Sequence, residues 1–261
     1  MNPTDRKIRA LLSSQPKLRL FLDYDGTLAD FGDHPDQVEP LPEVLDLLTE
    51  LRDQPAIRVA VLSGRRLGHL KKLIPIEGIL LAGTYGLEIL KTSGEEQFRL
   101  DYDEVRPALD NLKPVWQSLI SAHQKIILED KGWSLALHAR FVNDKLAAAV
   151  LEKASAAALR LLDKSEFLVL PGHKFLEAGP RLANKRDGVS YLLEIEPPEN
   201  ESLLYLGDDD KDETAFQVIQ SRGGAAIRVC SNVINEPIED WRLPDPSAAR
   251  AWLRKLPNFL A

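Results

Sequence analysis

Short apolar runs alternate with helical patterns in the first third of the chain. Residues 18–22 and 57–62 are apolar runs that end at polar residues, which predicts two buried strands. Apolar residues recur at helical spacing at 44–51 and again at 67–74, which predicts an amphipathic helix after each strand. A further apolar run at 78–82 predicts a third strand. Strands that alternate with helices indicate a mainly parallel sheet covered on both faces.

The same alternation of strands and helices is predicted towards the end of the chain, after a segment with a different pattern of apolar and polar residues. Apolar runs at 203–206 and 225–229 predict two more strands, with a helical pattern at 213–219 between them. The intervening segment predicts helices at 105–122 and 143–162 and strands at 125–130, 133–141, 167–170 and 174–178, of which the last two form a hairpin around Pro171-Gly172.

The two different sequence patterns predict two folding units. We predict an α/β fold in which residues 1–103 and 181–261 form a doubly wound parallel sheet core and residues 104–180 form an inserted α+β lobe. The 261 residues, of which 44% are hydrophobic, suffice for an apolar core in each unit.

Charge and cysteine content narrow the class of protein. The net charge of −7 gives no basic footprint for nucleic acid or for an anionic membrane, so we expect neither as a partner. Cys230 is the only cysteine, which excludes a disulfide within the chain and argues against a cysteine-based metal site. The polar start MNPTDRKIRALL lacks the apolar region of a leader peptide, and no segment approaches the roughly 18 apolar residues of a membrane span. We therefore expect a cytoplasmic protein.

Polar clusters follow three of the predicted strands. They are Asp23-Tyr24-Asp25-Gly26-Thr27, Ser63-Gly64-Arg65 and Gly207-Asp208-Asp209-Asp210. In an open parallel sheet, ligands bind beyond the carboxyl ends of the strands, so we expect the clusters to converge on one site. Carboxylates that lie close together repel one another unless they share a cation, and oxygen ligands suit Mg²⁺.

A phosphate ester is the substrate class that would use all of these groups. Phosphoryl transfer needs a placed nucleophile, a cation and further N–H or positively charged donors. We predict that Asp23 is the nucleophile and forms an aspartyl-phosphate, while Asp25 protonates the leaving oxygen and later activates water. The predicted phosphate-binding residues are Thr27, Ser63, Gly64 and Lys185. Taken alone, Ser63-Gly64 is also typical of a turn, 208–210 of a helix cap and Lys185 of a surface lysine.

These motifs resemble those of the haloacid dehalogenase superfamily. The residues that carry the resemblance are Asp23-Tyr24-Asp25-Gly26-Thr27-Leu28, Ser63-Gly64-Arg65, Lys185 and Gly207-Asp208-Asp209-Asp210-Lys211-Asp212-Glu213. Within the superfamily, the chain is most similar to trehalose-6-phosphate phosphatases, through Asp212-Glu213-Thr214-Ala215-Phe216, His138-Ala139-Arg140 and Glu177-Ala178-Gly179-Pro180. The resemblance implies a Rossmann-like core with an inserted cap domain. It also implies Mg²⁺ held by Asp23, the Asp25 carbonyl and Asp208, with Asp209 or Asp212 supporting the metal waters.

The inserted lobe offers polar residues for a sugar. Alternation along 133–141 divides the strand into an apolar face with Trp133, Leu135, Leu137, Ala139 and Phe141, and a second face with Ser134, Ala136, His138 and Arg140. The candidate substrate-binding residues are Arg65, Lys131, His138, Arg140 and Glu177. A half-buried antiparallel sheet also has a polar outer face without any ligand, so both interpretations of the lobe residues stay open.

We predict a Mg²⁺-dependent sugar-phosphate phosphatase, with trehalose 6-phosphate as the favoured substrate. The chain departs from the residues usual in that family at Tyr85, Gly179, Arg186 and the Asp210-Lys211 pair. None of these is a predicted catalytic residue, so the departures bear on the sugar and leave the phosphatase chemistry unchanged. The alternatives are a phosphatase of another glycoside phosphate, such as sucrose 6-phosphate or glucosylglycerol phosphate, a phosphosugar mutase, and a non-catalytic regulatory module that binds a sugar phosphate. We expect a small-molecule substrate and a monomeric protein.

Overall fold

The computed structural model describes residues 10–11, 15–30, 39–230 and 238–260. The polar chain start, on which the expected absence of a leader peptide rests, lies outside the described residues except for Ala10 and Leu11. No helix within the described ranges is both long enough and apolar enough to cross a membrane.

The chain divides into two compact units. One is formed by Met1–Gln97 together with Asn184–Ala261, and the other by Phe98–Ala183. The strands of the described residues are, in chain order, β1 (Lys17–Leu22), β2 (Ile57–Leu62), β3 (Leu80–Gly83), β4 (Glu88–Leu90), β5 (Glu96–Phe98), β6 (Ile127–Asp130), β7 (Leu135–His138), β8 (Phe167–Gly172), β9 (Phe175–Pro180), β10 (Glu201–Gly207), β11 (Ala225–Val229) and β12 (Trp241–Leu243). The main helices are α1 (Pro42–Arg52), α2 (Leu67–Leu73), α3 (Tyr102–Ile120), α4 (Asp144–Leu161), α5 (Lys185–Ile195), α6 (Asp210–Ser221), α7 (Pro246–Leu253) and α8 (Pro257–Leu260).

The first unit is built on a sheet that, within the described residues, has eight strands in the order β12-β11-β10-β1-β2-β3-β4-β5. The pairs from β12 to β3 are parallel, and β4 runs antiparallel to β3. The central strands are apolar on both faces, because each face is covered by helices. Leu20 and Leu22 pack on one face with α1, α2 and α7, while Phe21 packs on the other with α5 and α6. The doubly wound α/β fold predicted from the sequence is confirmed.

Three strands of this sheet were not predicted from the sequence. The strands β4, β5 and β12 have only three residues each, which is too short for an alternating pattern to register. They lie towards the two ends of the sheet, so the central parallel strands that carry the predicted polar clusters are unaffected.

The second unit, whose residues are all described, pairs its strands as an antiparallel sheet in the order β6-β7-β9-β8. One face of this sheet packs against α3 and α4 through residues such as Leu135, Leu137 and Trp116. The prediction that Phe141 belongs to the apolar face is wrong, because β7 ends at His138 and the Phe141 side chain is 60% exposed. The hairpin turns at residues 173–174, beyond the predicted Pro171-Gly172, since β8 extends through Gly172.

Candidate active site

The predicted polar clusters lie at one edge of the large sheet. Leu22, at the end of β1, is in register with Leu206 of β10, and the parallel strand β2 ends directly before Ser63. Because β1, β2 and β10 run in the same direction, Asp23, Ser63 and Asp208 follow neighbouring strand ends. The structure therefore brings together residues that are far apart in the sequence.

A buried lysine joins two buried aspartates at this edge. Lys185, the first residue of α5, has its Nζ 2.9 Å from Asp23 Oδ1 and 2.5 Å from Asp212 Oδ1. Lys185 and Asp23 are 4% exposed and Asp212 is fully buried, so none of these charges is solvated by bulk water. Burying an isolated charge is costly, and the three groups are tolerated because each charge has an opposite partner.

Asp212 is held by neighbours on several sides. Its carboxylate accepts hydrogen bonds from the Tyr205 hydroxyl at 2.7 Å and from the Asp208 and Asp209 N–H groups at 3.1 and 3.2 Å. A Cβ on Gly207 would lie 2.2 Å from Asp212 Cγ, so the close approach of this carboxylate requires a glycine at 207. Asp212 thus fixes the backbone of the loop that carries Asp208.

Three carboxylates in the described part of the chain are grouped closely enough to share a cation. Asp23, Asp208 and Asp212 each offer an oxygen atom within 4.8 Å of the others. Hard oxygen ligands of this kind fit a small divalent cation such as Mg²⁺. The side chain of Asp209, which with Asp212 was predicted to support the metal site, lies at the N-cap of α6 and accepts from the Lys211 N–H at 2.9 Å.

Burial makes the protons of this cluster hard to remove. Burial raises the pKa of Asp23 to about 7, although the nearby Lys185 lowers it. Burial and the charges of Asp212 and Asp209 raise the pKa of Asp208 to about 7. A carboxyl group whose pKa is raised in the folded protein contributes fully to stability at a pH below its pKa in the unfolded chain. This contribution is lost as the pH rises through the pKa of the folded state, which is about 7 here.

Added Mg²⁺ is therefore expected to raise the melting temperature more at pH 8 than at pH 6. A cation competes with protons for Asp23 and Asp208, whose pKa values of about 7 lie between these two conditions. Differential scanning fluorimetry of the protein with and without Mg²⁺ measures both shifts, and the Asp208→Asn variant should lose most of the shift at pH 8. Equal shifts at the two pH values would contradict a site made of these carboxylates.

Asp25 is paired with Arg65. The Arg65 Nη2 and Nε atoms donate to the two Asp25 carboxylate oxygens at 2.6 and 2.7 Å, and the guanidinium carbon lies 5.9 Å from the centre of the Tyr24 ring. Arg65 is also a predicted substrate-binding residue, and in this structure its guanidinium is paired with the carboxylate of the predicted acid and base. Two of the predicted phosphate-binding residues contact other residues of the site: the Thr27 hydroxyl donates to Asp23 Oδ2 at 3.5 Å, and Ser63 Oγ accepts from the Arg65 N–H at 3.2 Å.

Most of the chain matches a known protein family. The sequence model of one family, described as trehalose-phosphatase, matches residues 21–247. The chain belongs to the trehalose-phosphatase family. It is 28% identical over 247 residues to the probable trehalose-phosphate phosphatase C of Arabidopsis thaliana, an alignment that covers 91% of this chain and 76% of that protein.

This member of the trehalose-phosphatase family is also similar in fold to solved structures. The C-terminal domain of C. albicans trehalose-6-phosphate phosphatase superposes with a TM-score of 0.82 at 18% identity, covering 97% of this chain and 96% of that one. The C-terminal domain of a Candida albicans trehalose synthase regulatory protein superposes with a TM-score of 0.78 at 13% identity, covering 97% of each chain. The same fold thus occurs in an enzyme and in a regulatory protein, so the site residues have to distinguish the two.

The second unit of this trehalose-phosphatase presents paired polar side chains on the sheet face opposite its apolar core. Glu177, 3% exposed, accepts from the Ser134 hydroxyl at 2.7 Å and lies 3.2 Å from the Lys131 Nζ. His138 Nε2 lies 2.7 Å from Glu129 Oε2. Of the predicted residues, Lys131, His138 and Glu177 share this face, whereas the exposed Arg140 lies beyond the end of β7.

Sequence reasoning missed Glu129 and Tyr205. Glu129 is on the predicted strand 125–130 and Lys131 directly follows that strand, so their two-residue spacing could have placed both on one face. Tyr205 gave no such signal, because an aromatic residue inside an apolar run is typical of core packing.

Proposed function

We propose that this protein hydrolyses trehalose 6-phosphate to trehalose and phosphate, with Asp23 as the nucleophile and Mg²⁺ as the cofactor. Membership of the trehalose-phosphatase family supports the reaction and the substrate. The observation that supports the mechanism is the position of Asp23, which is buried directly after β1, 2.9 Å from Lys185 and grouped with Asp208 and Asp212.

The chemical steps use residues of the first unit. An Asp23 carboxylate oxygen attacks the phosphorus, the bond from phosphorus to the sugar oxygen breaks, and Asp25 gives its proton to the leaving oxygen. Asp25 then takes a proton from water, the water oxygen attacks the aspartyl-phosphate at phosphorus, and phosphate leaves as the Asp23 carboxylate is restored. Asp25 must release Arg65 to do this, and its side chain is 21% exposed, so water can reach it.

Positive charge and N–H groups complete the proposed site. Lys185, Ser63, Gly64 and Thr27 hold the phosphoryl oxygens as negative charge develops on them. Asp23, the Asp25 carbonyl and Asp208 would hold Mg²⁺, with Asp209 and Asp212 around it; when bound, the ion neutralises charge on the phosphoryl group.

We propose that the polar face of the second unit recognises the sugar through Lys131, His138 and Glu177. Glu177→Gln is expected to lower kcat/KM for trehalose 6-phosphate by roughly ten- to a hundredfold, since a hydrogen bond to a charged group is lost. The kcat/KM for p-nitrophenyl phosphate should change by no more than about twofold, because this substrate has no sugar that could contact Glu177. Glu166→Gln, at an exposed glutamate of the same unit, is the matched control. Equal losses on both substrates would contradict a role in sugar recognition.

The function itself is tested by phosphate release from a panel of substrates with and without Mg²⁺. The panel contains trehalose 6-phosphate, sucrose 6-phosphate, glucosylglycerol phosphate, mannose phosphates and p-nitrophenyl phosphate. We expect Mg²⁺-dependent release with a preference for trehalose 6-phosphate. Preference for another sugar would overturn the substrate and keep the mechanism, whereas no release from any substrate would favour the regulatory module.

We also propose that the protein acts on this small molecule as a monomer in the cytoplasm. The single cysteine supports a reducing compartment, and the net charge of −7 supports the absence of nucleic-acid and anionic-membrane partners. Size-exclusion chromatography with light scattering tests the monomer, and elution as a stable dimer would contradict it.

A further inference from the structure

A strained turn lies against the Ser63-Gly64-Arg65 loop. Thr84 and Tyr85 have φ values of 47° and 56°, a left-handed conformation that residues other than glycine rarely adopt. The turn is fastened to the loop by two backbone hydrogen bonds, from Tyr85 N–H to the Ser63 carbonyl at 2.9 Å and from Thr84 N–H to the Arg65 carbonyl at 2.7 Å. Such conformations persist where the surroundings enforce them and are concentrated at functional sites.

The strained backbone places the tip of the Tyr85 side chain directly on Gly64. A Cβ atom added to Gly64 would lie 2.7 Å from both Cζ and the hydroxyl oxygen of Tyr85. A side chain at position 64 would displace the ring, so the absence of a side chain there allows contact between the ring and the loop backbone. Tyr85 is 7% exposed, which leaves its ring little room to move away.

The hydroxyl of Tyr85 connects this contact to the acidic loop. Lys211 Nζ donates to the Tyr85 hydroxyl at 2.7 Å, and the same ammonium group lies 5.0 Å from the centre of the ring. Lys211 is the second residue of α6, between the N-cap Asp209 and the buried Asp212. A continuous set of contacts thus runs from the backbone of Gly64 through Tyr85 and Lys211 to the loop that carries Asp208.

We propose that Tyr85 and Lys211 are a pair of positioning residues that fixes the Gly64 N–H relative to the Asp208 loop during phosphoryl transfer. This inference rests on the proposed function, in which the Gly64 amide and the acidic cluster act on one phosphoryl group. The transition state spreads charge over three oxygens, and donors stabilise it only if their positions are set beforehand. Loosening the pair therefore weakens binding of the transition state more than binding of the substrate.

The pair is tested with Tyr85→Phe, Lys211→Met and the double variant. Each single variant is expected to lower kcat for trehalose 6-phosphate by roughly three- to tenfold, the effect of one hydrogen bond, with KM within about twofold. The inhibition constant of orthovanadate, which imitates the transition state, should rise by the same factor as kcat falls. The double variant should be no slower than the slower single variant, because both substitutions remove the same contact.

Two control variants separate positioning from a general loss of stability. Tyr191→Phe removes another tyrosine hydroxyl of the same unit, one that contacts Gln97, and Lys72→Met removes an exposed lysine on α2. Both controls should keep wild-type kcat and vanadate inhibition. Multiplicative losses in the double variant, or a lower melting temperature with unchanged kcat and vanadate inhibition, would overturn the pair alone. A wild-type protein that releases no phosphate would instead overturn the proposed function and the pair with it.

Discussion

Asp23→Asn is expected to lower turnover of trehalose 6-phosphate by at least about 10³-fold, because an amide oxygen is a poor nucleophile and cannot form the aspartyl-phosphate. Phosphate release with saturating Mg²⁺ measures the loss. Asp53→Asn, which removes an exposed carboxylate paired with Arg52, is the matched control and should keep full activity. Substantial turnover by Asp23→Asn would remove Asp23 from the role of nucleophile.

The same substitution should leave the fold intact. Burial raises the pKa of Asp23 to about 7, so the folded protein already accommodates a neutral side chain there below that pH. Lys185 keeps Asp212 as a partner at 2.5 Å when the charge at position 23 is removed. A melting temperature within a few degrees of wild type would show that the loss of turnover is chemical, whereas unfolding would contradict the expectation that the fold accommodates a neutral side chain at position 23.

Lys185→Met is expected to reduce both stability and turnover. The substitution leaves Asp23 and Asp212 buried without their cation, and removing one partner of a buried ion pair costs about 3–5 kcal/mol of the free energy of unfolding. Turnover should fall by roughly 10²–10³-fold even where the protein is folded, because the phosphoryl group loses a positive donor. Urea denaturation and phosphate release measure the two effects, with Lys72→Met as an exposed control.

The stability loss in Lys185→Met should depend on pH. Lys185 lowers the pKa values of Asp23 and Asp212, so these values rise further when the ammonium group is removed. Carboxyl groups with raised pKa values stabilise the fold when protonated and cease to do so as the pH rises, so the deficit should be larger at pH 8 than at pH 5. A deficit that is the same at both pH values would indicate lost packing as its cause.

The central strands could be predicted because each is a closed apolar run between polar residues. The predictions for 57–62 and 225–229 coincide with β2 and β11. Phe141 was misplaced because an alternating pattern does not show where hydrogen-bonded pairing ends, which here is at His138. The hairpin turn was also misplaced, since Pro171-Gly172 favours a turn locally while pairing with β9 extends β8 through both residues.

The sequence predicts which residues of the candidate site lie together, because these residues follow neighbouring strands. It does not predict which side chains pair with one another. Topology alone places Asp23, Ser63 and Asp208 at one sheet edge. The sequence around Arg65 does not indicate that its guanidinium pairs with Asp25, forty positions earlier, and not with a phosphate oxygen. The acidic cluster was likewise predicted as a set, but only the folded loop shows that Asp209 caps α6 while Asp212 lies with Asp23 and Asp208.

The central claim, phosphoryl transfer from trehalose 6-phosphate to Asp23, is tested most directly by trapping the intermediate. The protein is mixed with Mg²⁺ and trehalose 6-phosphate, quenched in acid within one turnover, digested and analysed by mass spectrometry. We predict that the peptide containing Asp23 gains the mass of one phosphoryl group and that borohydride converts this residue to homoserine. A phosphoryl group on a different residue, or rapid phosphate release with an unmodified Asp23 peptide at every quench time, would contradict the account.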